Sequence, residues 1–484
     1  MFHFNYYAPT QVVFGKDTEE KTGELVKAQN CKKVLIHYGS GSVRRSGLLD
    51  KVKASLDDAE VDYIELGGAV PNPRLSLVYE GIELAKKEGV DFILAVGGGS
   101  AIDSAKAIGY GVANEGDVWD FYDRKRQATG CLPIGVVLTI AATGSEMSNS
   151  SVITKEEGWV KRGYSSDYGR PRFAIMNPEL TMTLSDYQTA CGCTDILMHT
   201  MERYFTNGGN MEITDSIAEG LMRTVIENAR ILVRDPKNYD ARAEVMWAGS
   251  LSHNGLTGCG AVVGGDFASH ALEHEIGGIY DVAHGAGLAA IWGSWARYVY
   301  KDCLPRFEKF AMNVMQVDPE GTADDVALRG IEAMEDFYRE IEMPTYKGER
   351  TSMWKLIPTK LMPPTRQVRY CCSVLKEAGC RNRFIATGVR WDESVKRKSR
   401  EEFEKLGKTK NSKEKFTTIM LMNDNDSKRR VSELCMQKNK MVVNPIIDWK
   451  NSDIWEYIHS EHLDVCELYQ CGYDRVGCIG CPMA

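Results

Sequence analysis

The segment "CTDILMHTMERYF" sets Asp195 and His199 four residues apart in a helical pattern. Two such side chains leave a helix on one face about one turn apart, which suits two ligands of one metal ion. Further on, "GGDFASHALEHEIGGIYDVAHGAG" supplies His270, His274 and His284. Taken singly, each of these also suits a buried, hydrogen-bonded histidine, and spacing misleads at one point. His270 and His274 are again four apart, which invites pairing them and setting the more distant His284 aside. One carboxylate and several imidazoles, without thiolate, suit a divalent ion such as iron, zinc or manganese and do not choose among them.

A second chemistry-bearing stretch is "VGGGSAIDSAKAIG", Val96 to Gly109, which follows a strand pattern and opens a helix pattern. Glycines there let the backbone come close to a phosphate, and the helix start offers free N–H groups and its positive end. A tight strand-to-helix turn explains the same glycines. The run is not G-x-G-x-x-G, so it carries no Rossmann fingerprint.

The elements that must hold these residues follow from periodicity. Up to about residue 182, short apolar runs ("KVLIHY", "VDYIEL", "DFILAV") alternate with helix-period segments, which predicts a parallel sheet covered by helices, an α/β domain spanning residues 1–182. From Ser185 to about residue 341 one helical pattern follows another, predicting an all-helical domain over 183–344. Prolines and basic residues then replace the periodicity, and 345–484 reads as a small α/β segment. "RFIATGVRW" is a strand and loop there, and "NPIIDWKNSDIWEYIHSEH" is a turn entering a helix.

Charge and cysteine content divide at the same place. The net charge of -8 combines an acidic first part, with 33 Lys+Arg against 49 Asp+Glu in residues 1–344, and a basic last part, with 26 against 18. The acidic part argues against a nucleic-acid partner. Eight of the 14 cysteines lie in the last 140 residues, which in an intracellular protein suggests metal or redox chemistry. Neither a leader pattern nor an apolar run of about 18 residues is present, so a cytoplasmic protein without a membrane partner is expected.

In family order, "PNPR", "VGGGSAID", "AATGSE", "NPELT", the Asp195/His199 helix and the H-x13-H pair His270/His284 resemble the iron-dependent (group III) alcohol dehydrogenases, in particular their butanol dehydrogenase-like branch. The resemblance covers residues 5–344. It implies an N-terminal dinucleotide-binding domain and a helical metal-binding domain of the dehydroquinate synthase-like fold. Iron (Fe2+), alternatively Zn2+, would be held by Asp195, His199, His270 and His284, and His274 would stand off the metal as a proton relay. Gly98, Gly99 and Ser100 would contact the cofactor diphosphate, Asp103, Thr139, Thr143, Ser148, Lys161 and Leu180 would line the rest, and Asn72 would lie at the same cleft. Where NAD-specific members place an Asp after the first strand of this domain, this chain has "HYGSGS", so Gly39 and Ser40 imply NADP in preference to NAD. The substrate implied is a small primary alcohol or its aldehyde, the metal polarising its oxygen, and the assembly implied is a homodimer. Glycerol dehydrogenase and dehydroquinate synthase fit the same segments less closely. Asn177 stands where the family usually has Asp, and the family continues for some further helical residues beyond "REIEMP".

The tail resembles a different family, the phosphoadenosine phosphosulfate reductases, in "PPTRQVRYCCSVLKE", "TGVRWDESVKRK", "NPIIDWKNSDIWEYI" and "DRVGCIGCPMA". That resemblance implies a [4Fe-4S] cluster, or zinc, on Cys371, Cys372, Cys478 and Cys481, and anion contacts from Arg390 and Arg397. The family's "SGGKDS"-like phosphate loop is missing from 345–484. The alternative function is therefore an iron-sulfur or zinc-bearing sulfonucleotide-binding module without turnover of its own.

Overall fold

The structure, a computed structural model, describes residues 1–206, 209–261, 265–343, 384–386, 403–406, 440–443 and 450–460. It divides into two compact units, Met1–Tyr346 and Lys347–Ala484. The tail cysteines Cys371, Cys372, Cys478 and Cys481, with Arg390 and Arg397, lie outside the described residues.

The first unit opens with strands β1 (Gln11–Phe14), β2 (Lys33–Gly39), β3 (Asp62–Ala69), β4 (Phe92–Gly97) and β5 (Ile134–Leu138). A hairpin follows, β6 (Ser150–Lys155) with β7 (Val160–Ser165), and then β8 (Phe173–Met176). Six of these form one sheet in the order β1-β8-β5-β4-β2-β3, with every pairing parallel. The helices interleaved with them are α1 (Thr22–Lys27), α2 (Ser42–Arg45), α3 (Leu48–Asp58), α4 (Leu75–Glu88), α5 (Gly99–Ala113) and α6 (Trp119–Tyr122).

A parallel sheet covered on both faces needs strands that are apolar on both faces. β4 and β5 satisfy this with buried residues throughout. Alternate residues of the strands enter two different cores. Leu35, Ile93 and Val136 pack with α4 and α5, whereas Val34, Phe92, Leu94 and Val137 pack with α3.

β2 also places one polar side chain inside, His37. Its Nδ1 lies 2.9 Å from the Leu66 carbonyl and its Nε2 2.9 Å from Ser104 Oγ on α5. A carbonyl only accepts, so Nδ1 carries the proton and Nε2 accepts from the serine hydroxyl.

The chain then turns helical with α7 (Asp186–Tyr204), α8 (Glu212–Arg234), α9 (Tyr239–His253), α10 (Ala268–Tyr280), α11 (His284–Val299), α12 (Leu304–Asn313) and α13 (Ala323–Glu340). α7 starts sharply because Ser185 caps the Gln188 N–H and Gln188 reaches back to Ser185. From Gly192 to Tyr204 every residue of α7 is buried, so it forms the spine of this core, against Met222 and Val225 of α8 and Leu288 and Trp292 of α11. No described helix is long and apolar enough to cross a membrane.

In the second unit, β9 (Phe384–Ala386) runs parallel to β11 (Lys440–Val443), and β10 (Phe403–Leu406) runs antiparallel to β11. A helix follows at Asn451–Ser460. The strand in "RFIA" and the helix in "NSDIWEYI" thus have the types their sequence patterns predict.

Burial, only partly opposed by the bond to Leu66, holds the His37 pKa down at about 4, below the ordinary 6.5. Between pH 6.5 and 4 the unfolded chain takes up a proton that the folded chain refuses, so folding stability should fall as the pH drops through that window, by at most about 3 kcal/mol from this group. Urea unfolding across pH 4–7 should show a shallower acid slope for His37→Gln than for the wild type, although the variant starts less stable. An unchanged slope would contradict the assignment.

Candidate metal and cofactor site

α7 carries Asp195 and His199 inward together, with His199 Nδ1 3.3 Å from Asp195 Oδ1. α10 brings His270 from the opposite wall, its Nε2 3.5 Å from the same carboxylate oxygen. His284, the first residue of α11, sets its Nε2 at 3.7 Å from it. Asp195, His199 and His270 form one compact donor group, their ligand atoms within 4.8 Å of one another. His284 reaches the same carboxylate oxygen from α11 without lying that close to all three. Asp195 Oδ1, His199 Nδ1 and His270 Nε2 are buried with no hydrogen-bond partner.

Three unpartnered polar atoms in one place are costly, at about 1–3 kcal/mol each. A cation relieves that cost. Bonds of about 2.1 Å to tetrahedral ligands would set those ligands about 3.4 Å apart, close to the separations seen here. Carboxylate and imidazole donors suit divalent iron or zinc, so the residues present fit such an ion.

Electrostatics points the same way. Burial works against a proton on His270, but Glu202 and then Asp195 outweigh it and raise its pKa to about 9. The cluster is thus a place that attracts positive charge. His199 is the opposite case, its pKa held well below 6.5 by burial and then by His253 and His270.

Two carboxylates that the sequence reading did not single out orient these rings. Glu202 is fully buried on α7, accepts the His270 backbone N–H at 3.1 Å, and makes a short bond to His270 Nδ1. Glu273, also fully buried, makes a short bond to His284 Nδ1 and accepts from Lys161 Nζ at 3.0 Å. With each Nδ1 committed to a carboxylate, each Nε2 is left facing Asp195, free to ligate a cation there. Burial would raise the Glu273 pKa, but His284 and Lys161 bring it down to about 2. A signal was present in the sequence. Glu202 and Glu273 each lie three residues after a candidate ligand, His199 and His270, on the same helical face.

The cluster opens onto a cavity of about 790 Å³. His274 lines it one ring beyond His284, at 6.0 Å between centroids. Gly99 and Ser100 line it at the start of α5, which no side chain caps. Gly98, the extended residue before α5, packs closely on Ile140, and a Cβ on Gly99 would lie 2.4 Å from Thr143 Oγ1. The glycines therefore serve the turn's packing and also leave a bare helix end toward the cavity.

Other expected cofactor residues line the same cavity with their polar atoms already engaged. Asp103 accepts from Ser145 Oγ at 2.6 Å and from the Val152 N–H at 2.9 Å. Lys106, which the sequence reading passed over, is fully buried and donates to the Ser145, Ser148 and Ser150 carbonyls at 2.7, 3.0 and 2.8 Å, pinning the loop that contains Thr143 and Ser148. Lys161, on the unforeseen hairpin β6–β7, points its amine at Glu273 and lies 3.4 Å from His284 Nδ1.

Asn72, at φ 53°, donates to Asp281 Oδ1 at 3.0 Å and the Val282 carbonyl at 3.3 Å, tying the α/β part to the turn before His284. Thr139 and Leu180 line a second cavity of about 430 Å³ together with Ser42 and Arg45. Gly39 and Ser40, at the end of β2, line neither cavity.

Residues 9–178 match the family described as iron-containing alcohol dehydrogenase, and residues 189–347 match the C-terminal region of the Fe-containing alcohol dehydrogenase family. Residues 304–484 match the phosphoadenosine phosphosulfate reductase domain. The chain is 41% identical over 346 residues to the probable NADH-dependent butanol dehydrogenase 2 of Bacillus subtilis, covering 71% of this chain and 88% of that protein. It is 34% identical over 357 residues to the NADPH-dependent aldehyde reductase of Escherichia coli, covering 72% and 89%. Its structure resembles the crystal structure of NADH-dependent butanol dehydrogenase A from Thermotoga maritima, with a TM-score of 0.69 and 40% identity over 71% of this chain and 86% of that one.

Titration of the full-length protein with Zn2+ or anaerobic Fe2+ should show a tight site at the Asp195 cluster, separate from any uptake by the tail cysteines. His284→Ala should abolish it, Glu202→Gln should weaken it by about 10–100-fold, and His274→Ala should keep it. Loss of metal from His274→Ala with retention in His284→Ala would reverse the assignment.

Proposed function

The chain belongs to the iron-containing alcohol dehydrogenase family, and on that premise we propose that it interconverts a small primary alcohol, butanol being the trial case, and its aldehyde using NADP or NAD. The observation that carries this reading is the convergence of Asp195, His199, His270 and His284 on a cavity that also receives the uncapped start of α5. We assign the cofactor to the α/β domain, residues 1–182, and the metal to the helical domain, residues 183–344.

Asp195, His199, His270 and His284 would hold iron, or alternatively zinc. When bound, the ion supplies a Lewis acid for the substrate oxygen and the nicotinamide gives or takes the hydride. The chain's own residues do the rest. The Gly99 and Ser100 N–H groups, at the positive end of α5, receive the cofactor diphosphate. Glu202 and Glu273 hold the imidazoles in one tautomer and one orientation. Asn72 and Arg74 both bond Asp281, which fixes the turn before His284 against the α/β part.

Burial, then Lys161 and His284, keep the His274 pKa well below 6.5. As a proton relay it would therefore take a proton on one nitrogen while releasing one from the other. Phe267 lines the cavity beside His270, with 5.6 Å between the ring centroids.

The preference for NADP rests on Gly39, which offers no carboxylate to repel a 2'-phosphate, and on Ser42 and Arg45 in the second cavity beside Thr139 and Leu180. The names of the relatives divide on this point, NADH for the butanol dehydrogenases and NADPH for the aldehyde reductase.

The match over residues 304–484 supports a second reading for the tail, a sulfonucleotide-binding module with an iron-sulfur or zinc centre on Cys371, Cys372, Cys478 and Cys481. Its missing phosphate loop argues against reductase turnover by this chain alone.

Iron-loaded protein should reduce butanal with NADPH more efficiently than with NADH, and Arg45→Ala should lower kcat/KM for NADPH by about tenfold while changing that for NADH less. Equal or better use of NADH by the wild type would overturn the reading of Gly39. For the tail, anaerobically purified protein should show broad visible absorbance that Cys478→Ser removes. Absence of that absorbance from the wild type would count against the cluster.

A further inference from the structure

The cleft contains a histidine that the chemistry above leaves unused. His253, the last residue of α9, has its ring centroid 4.0 Å from that of His199 and lines the same cavity. The imidazoles form a row. His253 neighbours His199, His199 neighbours His270 at 4.5 Å, His270 neighbours His284 at 5.3 Å, and His274 stands at the far end.

Arg203 determines what His253 can offer. Its Nη2 lies 3.1 Å from His253 Nδ1. A guanidinium only donates, so Nδ1 accepts and the ring's single proton must sit on Nε2. Arg203 is itself immobilised, since its Nη1 donates to the His199 carbonyl at 2.7 Å and the Ser252 carbonyl at 3.0 Å, and its guanidinium lies 4.7 Å from the Phe267 ring centre. Phe267 is held in the left-handed region at φ 56°, where a bulky residue is strained, so the fold spends strain to keep this wall in place. The Nε2–H has no hydrogen-bond partner among the described residues. His253 is thus a neutral donor of fixed tautomer in the cleft, at the end of the row opposite His274.

We propose that His253 is a specificity-determining donor whose Nε2–H binds an oxygen on the substrate's carbon chain beyond the reacting carbon, so that the site prefers hydroxyaldehydes and diols to plain alkyl aldehydes and alcohols. The reacting oxygen belongs at the Asp195 cluster. His253 is separated from that cluster by the width of the His199 ring, which suits an atom one or two bonds further along the chain. This inference rests on the alcohol/aldehyde reading above.

The test has two arms, both on the full chain. Nitrogen NMR of protein labelled at its nine histidines, with His253→Gln to assign the signal, should show His253 with a bare Nδ1 and a protonated Nε2 in both the metal-free and the zinc-loaded protein. A protonated Nδ1 would overturn the proposal whatever the activity. In the iron-loaded enzyme, kcat/KM should favour lactaldehyde or 3-hydroxypropanal over propanal, with the difference in KM. His253→Phe should collapse that ratio by about tenfold, the worth of one neutral hydrogen bond, and His253→Gln, which keeps a donor, should restore part of it. A wild type without the preference, or a His253→Phe variant that loses equally on all three aldehydes, would overturn the proposal while leaving the dehydrogenase reading intact. A wild type that reduces no aldehyde would instead remove the reading itself.

Discussion

A carboxylate oxygen and two imidazole nitrogens, Asp195 Oδ1, His199 Nδ1 and His270 Nε2, face one another inside the protein without a hydrogen-bond partner. Buried polar atoms left without a partner are costly, so the arrangement is stable when a cation occupies the gap or when the surrounding charge compensates for its absence. Most of the first unit can be understood as meeting that constraint. α7 must be buried nearly all round to carry Asp195 and His199 inside the protein, and its capping box at Ser185 and Gln188 fixes where the helix begins, hence which residues face inward.

The constraint extends to the residues behind the donors. A ring bound through Nε2 turns freely unless its other nitrogen is held, and Glu202 and Glu273 supply that hold for His270 and His284. Two further buried carboxylates beside Asp195 would be intolerable without positive charge. Lys161 answers Glu273, and Arg203 lies next to Glu202 in the chain. The α/β part is anchored similarly. Buried Lys106 holds the 145–150 loop through three carbonyls, and Asn72 bonds the turn before His284. The cavity and the Asp195 cluster are thus parts of one polar framework within Met1–Tyr346.

Much of this was legible in the residues. Apolar runs marked the strands, because a sheet covered on both faces tolerates few polar side chains, and the four-residue interval from Asp195 to His199 marked a shared helical face. The choice between His274 and His284 was not legible from spacing. It depends on how α10 and α11 meet at Asp281, a turn held by contacts from Asn72 and Arg74 far away in the chain. Glu202, Glu273 and Lys106 were passed over because a charged residue on a helix usually faces solvent, and only tertiary packing decides otherwise. The hairpin carrying Lys161 was missed because its alternation is broken by "EEGW". At Asn177 the amide oxygen accepts from the Glu179 N–H at 3.0 Å, as an Asp carboxylate could, and the amide nitrogen donates to Glu19 at 2.9 Å.

The central claim is that one divalent cation belongs at Asp195, and anomalous diffraction at the iron edge from crystals grown anaerobically with Fe2+ tests it most directly. The account predicts a single strong peak in the first unit, within bonding distance of Asp195, His199, His270 and His284 together. A peak elsewhere in Met1–Tyr346, or full iron loading with no density among those four side chains, would contradict it.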